Sequence, residues 1–390
     1  MTAAPDVLVV GAGVIGAATA FHLARLGAGS VAVMDRATAG SGMSGRSSAL
    51  VRMHYTFPGE VDLAVRSDSM FDAWTDLTGR PACVRRTGFV RIVMPDECGL
   101  LRANVAMQRS RGAATAVVDA AELADLAPGL RTDDVSCAAW EPNGGYGDGA
   151  VVAGDLLAAA REHGAGYLPG TAVRGLLTDG DRITGVRTDA GELTAGTVVL
   201  AAGVWSPALL ATAGIDLPIE TELHKVALVR QPGAAAAPVR VACIDSTTQT
   251  YFRPEAAGQA TLIGSFTGPR GADPDRVPAT AQPHELAGLV GAAAHRVPAL
   301  ADGGIAAGVT GVYDMTPDAR PMLGEVPGRP GLVVAAGFSG MGFKISPAVG
   351  EALAELIVRG SASRVDLRPF RPGRFAEGAP ISPPHAYSDD

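Results

Sequence analysis

Lysine is nearly missing from this 390-residue sequence: Lys225 and Lys344 stand against 30 arginines. Charge is thin overall, 18% of residues with a formal net charge of -8, which argues against a nucleic acid or an anionic membrane surface as the main partner. Cysteine is scarce as well. Cys83, Cys98, Cys137 and Cys243 are scattered without paired spacing, so neither a zinc site nor a disulfide framework is expected, and a reducing cytoplasm is the default location. No uninterrupted apolar run reaches the roughly 18 residues of a membrane span. The most apolar stretch, Val7 to Leu26, is broken by Gly11, Gly13 and Gly16 and contains His22 and Arg25. Met1 to Asp6 carries no basic segment, so no secretory signal is expected. Repeats of about 20 to 50 residues are absent, and the nearest approach to low complexity is the Ala-rich Gly233 to Pro238.

Other residues are plentiful. Hydrophobic types make up 47%, enough for a large core and too many for global disorder. The 50 glycines and 27 prolines make about a fifth of the chain turn-prone, which excludes a coiled coil or helical bundle. Length alone suggests about two or three domains.

The most informative glycines come first. The run Val7-Leu8-Val9-Val10 leads into Gly11-Ala12-Gly13-Val14-Ile15-Gly16, and an apolar helix pattern follows, closed by Gly27. Strand, turn and helix in this order form a dinucleotide-binding unit: the glycines allow a tight turn, close approach of a pyrophosphate and close helix-strand packing. The helix N-terminus offers N–H groups and a partial positive charge to the phosphates. A second apolar run, Val31 to Met34, ends at Asp35, 19 residues after Gly16, where a carboxylate can accept ribose hydroxyls. The motif does not separate NAD from FAD, although Asp35 would repel a 2′-phosphate.

Beyond Asp35 the pattern predicts a Gly/Ser-rich stretch over 39–48, a helix over 61–77, a strand over 88–94, a helix over 100–111 and turns at 143–145. It then predicts a helix over 153–163, a strand over 172–177, a hairpin over 182–193 and a buried strand over 197–202. Residues 221–304 read as strand-rich. A buried strand over 331–336, a helix over 346–359 and an extended surface tail over 368–390, with five prolines, complete the chain. The expected architecture is α/β plus α+β. A Rossmann-like nucleotide domain is assembled from 1–85, 150–220 and 305–367, and a mixed β-sheet substrate domain from 86–149 and 221–304. Simple NAD dehydrogenases tend to keep the cofactor domain in one piece.

Four further segments carry a family resemblance. Val198 to Ser206 resembles the turn after the last parallel strand in FAD-dependent amine oxidoreductases. Tyr251-Phe252-Arg253-Pro254-Glu255 resembles the strand that crosses the flavin in the D-amino-acid oxidase superfamily. Thr316 to Gly324 is similar to its Thr-Pro-Asp-x-x-Pro-x-x-Gly segment, and Ala335 to Lys344 to its C-terminal flavin-binding signature. With the first glycine motif these lie in family order across nearly the whole chain. Ser44 to Arg52 is most similar to the sarcosine oxidase and dimethylglycine oxidase branch.

The resemblance implies FAD, held by Gly11, Gly13, Val14, Ile15, Gly16, Asp35, Arg36, Gly45, Arg46, Ser47, Ser48, Val173, Ala202, Gly203, Trp205, Gly337, Gly340, Met341, Gly342, Phe343 and Lys344. It implies oxidation of the C–N bond of a small, carboxylate-bearing amine or amino acid, with oxygen or another acceptor taking the electrons. Arg52 and Lys344 match the two cations that hold the substrate carboxylate in monomeric sarcosine oxidases. His224 and Tyr251 match a histidine and a tyrosine of dimethylglycine oxidases, the histidine suited to take the amine proton. Tyr313 matches an aromatic wall, and His54 and Tyr55 follow Arg52 closely. Lys225, beside His224, is a candidate for a compensating positive charge. Two positions depart from the pattern: Gly311 replaces the cysteine that tethers FAD, and Leu262 stands where a lysine is thought to assist oxygen. Other readings are a subunit of a heteromeric oxidase or dehydrogenase, a flavin monooxygenase, and a non-catalytic flavin-binding partner.

Overall fold

The computed structural model describes residues 4–230, 239–255 and 259–388; the Ala-rich Gly233 to Pro238 segment lies outside the described residues. Two large sheets organise the chain. The first has six strands in the order Met322–Glu325, Leu332–Ala336, Thr197–Leu200, Val7–Val10, Val31–Met34 and Gly166–Leu168. It is parallel except for the antiparallel edge strand Met322–Glu325. Its central strands are apolar runs buried on both faces, as a parallel sheet covered on each side requires. Helices Val14–Leu26, Gly149–Glu162 and Gly342–Arg359 pack on one face. The antiparallel strands Val173–Asp179, Arg182–Thr188 and Gly191–Thr194 cover the other.

The first and last of those helices meet very closely. A Cβ added to Gly350 would stand 2.5 Å from the backbone carbon of Ala18, so only glycine allows that crossing. The last helix also starts a turn earlier than its sequence suggests. Pro347 reads as the first turn of a helix beginning near Ser346, yet the helix begins at Gly342 and Pro347 lies inside it. Proline leaves the Phe343 carbonyl without its N–H donor, and the Ser346 hydroxyl donates to that carbonyl at 2.8 Å instead.

The second sheet has eight strands, in the order Gly304–Met315, Glu220–Arg230, Ala260–Ser265, Thr250–Glu255, Ala242–Asp245, Phe89–Ile92, Ala138–Glu141 and Ala116–Val118. The Gly304–Met315 strand thus pairs with Glu220–Arg230, whereas the sequence reading groups residues from 305 with the nucleotide segments. The strand-rich reading of 221–304 omits a helix, Pro283–Arg296, which packs its Leu286 and Ala293 against the sheet. The predicted helix over 61–77 is two helices, Pro58–Asp72 and Trp74–Thr78, broken at Ala73.

Two expectations are corrected. Cys98 and Cys137 form a disulfide, joining the helix Cys98–Ser110 to the residue before the strand Ala138–Glu141. Their separation of 39 residues matches no local spacing motif, because pairing is set by the sheet and not by the sequence interval. The expectation of a reducing compartment loses the support it drew from unpaired cysteines. The C-terminal segment is not simply a surface tail: Phe370, Arg374 and Tyr387 are buried. The Arg374 guanidinium grips the Asp318 carboxylate with two bonds of 2.8 Å and also donates to the carbonyls of Arg320 and Pro321. Removing one member of a buried, hydrogen-bonded ion pair strands the other charge. Arg374→Met is therefore expected to reduce stability by about 3–5 kcal/mol, read as a lower urea midpoint; an unchanged midpoint would show that Asp318 is solvated without its partner.

Candidate functional site

A cavity of about 590 Å³ opens at the carboxyl ends of the six-stranded sheet. Its near end is the Val10-to-Ile15 turn. Gly11 has φ +107, and Asp35 fixes the turn by accepting the Ala12 N–H at 2.7 Å and its own Ala37 N–H at 2.8 Å. The Val14–Leu26 helix starts without a side-chain cap or an acidic residue in its first turn, and Ser44 Oγ accepts the Val14 N–H at 3.1 Å. That end presents donors and a positive dipole to an anion.

Of the residues named for the cofactor, Gly11, Gly13, Val14, Ile15, Asp35, Arg36, Arg46, Ser47, Val173, Ala202, Gly203, Trp205, Gly340, Gly342 and Phe343 line this cavity. Gly16, Gly45, Ser48, Gly337, Met341 and Lys344 do not. Gly16 backs onto the turn, where a Cβ would stand 1.9 Å from the Gly11 carbonyl oxygen. Gly45 lines a neighbouring cavity of about 170 Å³ together with Arg46, Arg253 and Leu262. At the outer rim the Arg36 guanidinium lies 4.0 Å over the Trp205 ring, and Arg36 and Trp205 both donate to Asp275, at 2.7 and 2.9 Å. Sequence reasoning missed Asp275; it lies 239 residues from Arg36 and carries no local signal.

The far end of the cavity meets the eight-stranded sheet at Tyr313, Gly340 and Phe343. A Cβ on Gly340 would stand 2.6 Å from the Tyr313 ring, so glycine there lets the loop pass beneath the tyrosine. Beyond this point the other candidates gather. The His224 ring stacks on Tyr313 with centroids 3.9 Å apart, and Tyr313 hydrogen-bonds through its side chain to Tyr251. Tyr251 also interacts with the Ser48 side chain. Lys344 is buried with its Nζ 3.4 Å from the Gly340 carbonyl. Arg52 lies 4.2 Å over the Tyr55 ring, donates Nη1 to the His54 carbonyl, and keeps a buried Nε without a hydrogen-bond partner among the described residues.

The electrostatics follow from burial. Lys344 is held well below its ordinary value by desolvation and by Arg52, with Glu60 opposing. Burial lowers His224 as well, against the pull of Glu222, whose Oε1 lies 3.0 Å from His224 Nε2. Glu222 also accepts from the Gly268 N–H and from Arg270, at 3.2 Å each. Glu222 escaped the sequence reading, although two residues from His224 on a strand puts it on the same face. Lys225 faces the opposite side of the strand. Its Nζ donates to Glu285 at 2.5 Å at the surface, away from the His224 side. Asp314, next to Tyr313, accepts the Gly337 N–H at 2.7 Å, and burial pushes it up to about 6.

Across 351 residues, 6–356, the sequence matches the model of the FAD dependent oxidoreductase family. The chain belongs to that family. Glycine oxidase of Geobacillus kaustophilus is 30% identical over 382 residues, 95% of this chain and 97% of that protein. The 4-methylaminobutanoate oxidase (formaldehyde-forming) of Paenarthrobacter nicotinovorans is 27% identical over 93% of this chain, which spans 45% of that longer protein. Among solved structures, L-proline dehydrogenase from P. horikoshii superposes with a TM-score of 0.88 at 27% identity, covering 98% of this chain and 100% of that one. The protein is thus an FAD-dependent oxidoreductase of a family acting on amino acids and amines.

The residues present fit FAD. The cleft is lined by the start of the Val14–Leu26 helix and Asp35, and by Tyr313, Phe338, Gly340 and Gly342. The buried Arg46 Nη1 on its wall lacks a partner among the described residues. In this oxidoreductase no helix among the described residues is long and apolar enough to cross a membrane.

A buried carboxyl beneath Arg52 makes the site sensitive to pH. Glu141 accepts the Met53 N–H at 2.8 Å, and burial pushes it up to about 8 against the pull of Met53 and Arg52. The folded chain therefore keeps a proton that the unfolded chain releases from about pH 4.5, and stability falls as pH rises from there through about 8. Glu141→Gln preserves the neutral form. The variant should be more stable than the native protein by on the order of 1–3 kcal/mol near pH 9 and equal to it near pH 5. Parallel thermal midpoints at both pH values would contradict this. Lys225→Ala, by contrast, is expected to leave turnover within about twofold, as for a surface ion pair; a larger loss in steady-state assays would restore Lys225 to the site.

Proposed function

We propose that the protein oxidises the C–N bond of a small amino acid that carries a carboxylate, of the secondary, N-methyl, cyclic or D type. What supports this reading is a pair of cations from two separate segments: Arg52 acts electrostatically on the buried Lys344, whose Nζ lies 3.4 Å from the carbonyl of Gly340, the glycine beneath the Tyr313 ring that stacks on His224. An arginine fork and a lysine point charge fix a carboxylate from two directions. A bound carboxylate also restores the charged form of Lys344 that burial disfavours. When bound, FAD supplies a two-electron acceptor for the carbon next to nitrogen.

The remaining roles belong to the chain. Arg52 and Lys344 orient the substrate, which is the proximity requirement of the transfer. Tyr251 and Tyr313 wall the pocket and exclude water. His224, kept neutral by burial, can take the ammonium proton so that the nitrogen lone pair becomes free to form the imine. The imine then hydrolyses, or persists if cyclic. Oxygen as acceptor would give hydrogen peroxide.

A second reading, a dehydrogenase or complex subunit that passes electrons to another acceptor, is favoured by Leu262 at the position where the resemblance places a lysine. The test is anaerobic bleaching of the flavin against a panel of N-methyl, cyclic, D- and L-amino acids, followed by admission of oxygen. Bleaching by at least one amine is expected; none at all would overturn the reading. Stoichiometric peroxide supports the oxidase, and slow reoxidation with fast transfer to a dye supports the dehydrogenase. Arg52→Ala is expected to raise the half-saturation concentration roughly a hundredfold, about 2–3 kcal/mol for a charged hydrogen bond. An unchanged value would remove Arg52 from carboxylate binding.

A further inference from the structure

Ala386 and Ser388 are exposed, but Tyr387 between them is 5% exposed and points inward. Its hydroxyl lies 2.9 Å from Nε2 of the buried His54, and the two rings stack with centroids 5.9 Å apart. The Arg91 guanidinium lies 5.0 Å over the Tyr387 ring. His54 in turn holds Arg52 through its backbone carbonyl, which accepts from Arg52 Nη1.

The seat for this tyrosine is built. Asn104 Nδ2, on a fully buried side chain, donates to the His385 carbonyl at 2.9 Å, and Glu97 Oε1 accepts the Ser388 N–H at 2.6 Å. Tyr387 packs with Leu101, Val105, Cys137 and Ala139, and the Cys98–Cys137 disulfide ties the helix side of that cluster to the strand side. Two polar anchors flank the aromatic, so its position is set independently of its contact with His54.

We propose that Tyr387 is a positioning residue for Arg52, acting through His54, so that the C-terminal segment forms part of the wall of the carboxylate site. This rests on the reading that Arg52 receives a substrate carboxylate. An arginine loses side-chain freedom when it binds an anion, and holding the guanidinium beforehand reduces that cost. The His54 carbonyl takes one N–H of Arg52, while the buried Arg52 Nε has no hydrogen-bond partner among the described residues. Without the Tyr387 hydroxyl, a buried His54 nitrogen loses its partner and the His54 segment loses its outer support.

The test compares the FAD-loaded protein with Tyr387→Phe and with a chain ending at Pro384. Acetate, an unoxidisable carboxylate, is titrated by its effect on the flavin spectrum, and anaerobic flavin reduction by the best amine is followed at varied concentration. For Tyr387→Phe the acetate dissociation constant and the amine half-saturation should each rise about five- to tenfold, with the limiting reduction rate and flavin content within about twofold of the parent. The shortened chain should show the same split, enlarged. Unchanged acetate and amine constants in Tyr387→Phe would overturn the proposal, whatever happens to its thermal midpoint. So would a fall in limiting rate at constant half-saturation. If the shortened chain fails to fold, Tyr387→Phe decides alone. Failure of every amine to reduce the flavin overturns the oxidation reading instead, and the acetate constants still decide the role of Tyr387.

Discussion

Asp314 ties the two large sheets together through two hydrogen bonds. The Asp314 carboxylate, near the end of the longest strand of the eight-stranded sheet, accepts the N–H of Gly337, the residue that follows the central Leu332–Ala336 strand of the six-stranded sheet. The Asp314 carbonyl accepts the Ser339 N–H at 3.0 Å two residues later. This double link sets the loop that leads into the last helix, and so sets Gly340 beneath Tyr313 and Lys344 one turn beyond. Burial raises the proton affinity of this carboxyl, against the backbone N–H groups of Gly337, Asp314 and Phe338, which favour its ionised form. The cleft meets the eight-stranded sheet at this point, where the chain crosses between the sheets.

The pocket has an electrostatic logic of its own. Arg52 disfavours the charged form of Lys344, which is buried, while Arg52 itself is half-buried. Glu141 lies beneath Arg52, yet burial keeps its proton to about pH 8. A neutral carboxyl anchors the Met53 backbone without cancelling the cation next to it. The arrangement favours a ligand that brings its own negative charge, which is the physical content of the proposed preference for amino acids over simple amines.

The parts of this structure that were legible in the sequence are those with short-range signals. The Val7-to-Gly16 run specifies strand, turn and helix within ten residues, and the structure places its turn at the mouth of the cavity. The Gly337-to-Lys344 segment was likewise readable, except that Pro347 pointed to a later helix start than the Ser346 hydroxyl permits. What was not legible depends on contacts between distant segments. Asp275 reaches Arg36, Cys98 reaches Cys137, Arg374 reaches Asp318 and Tyr387 reaches His54 only after the sheets are assembled. Composition misled at the C-terminus, since five prolines describe an extended backbone correctly but say nothing about which side chains it buries.

The two lysines separate on the same grounds. Lys225 forms a surface ion pair with Glu285, a task for which arginine serves equally, so its survival in an arginine-rich chain has no structural explanation. Lys344 occupies an enclosed position in the first turn of a helix, with the Gly340 carbonyl as its bond and Arg52 as its charged neighbour. A guanidinium there would need five N–H partners and would remain charged beside Arg52 with no ligand bound. A buried ammonium can lose its proton and, under the proposed function, regain it beside a bound carboxylate. That capacity to discharge is a property arginine lacks, and under the proposed function it gives a physical reason for a lysine at this position.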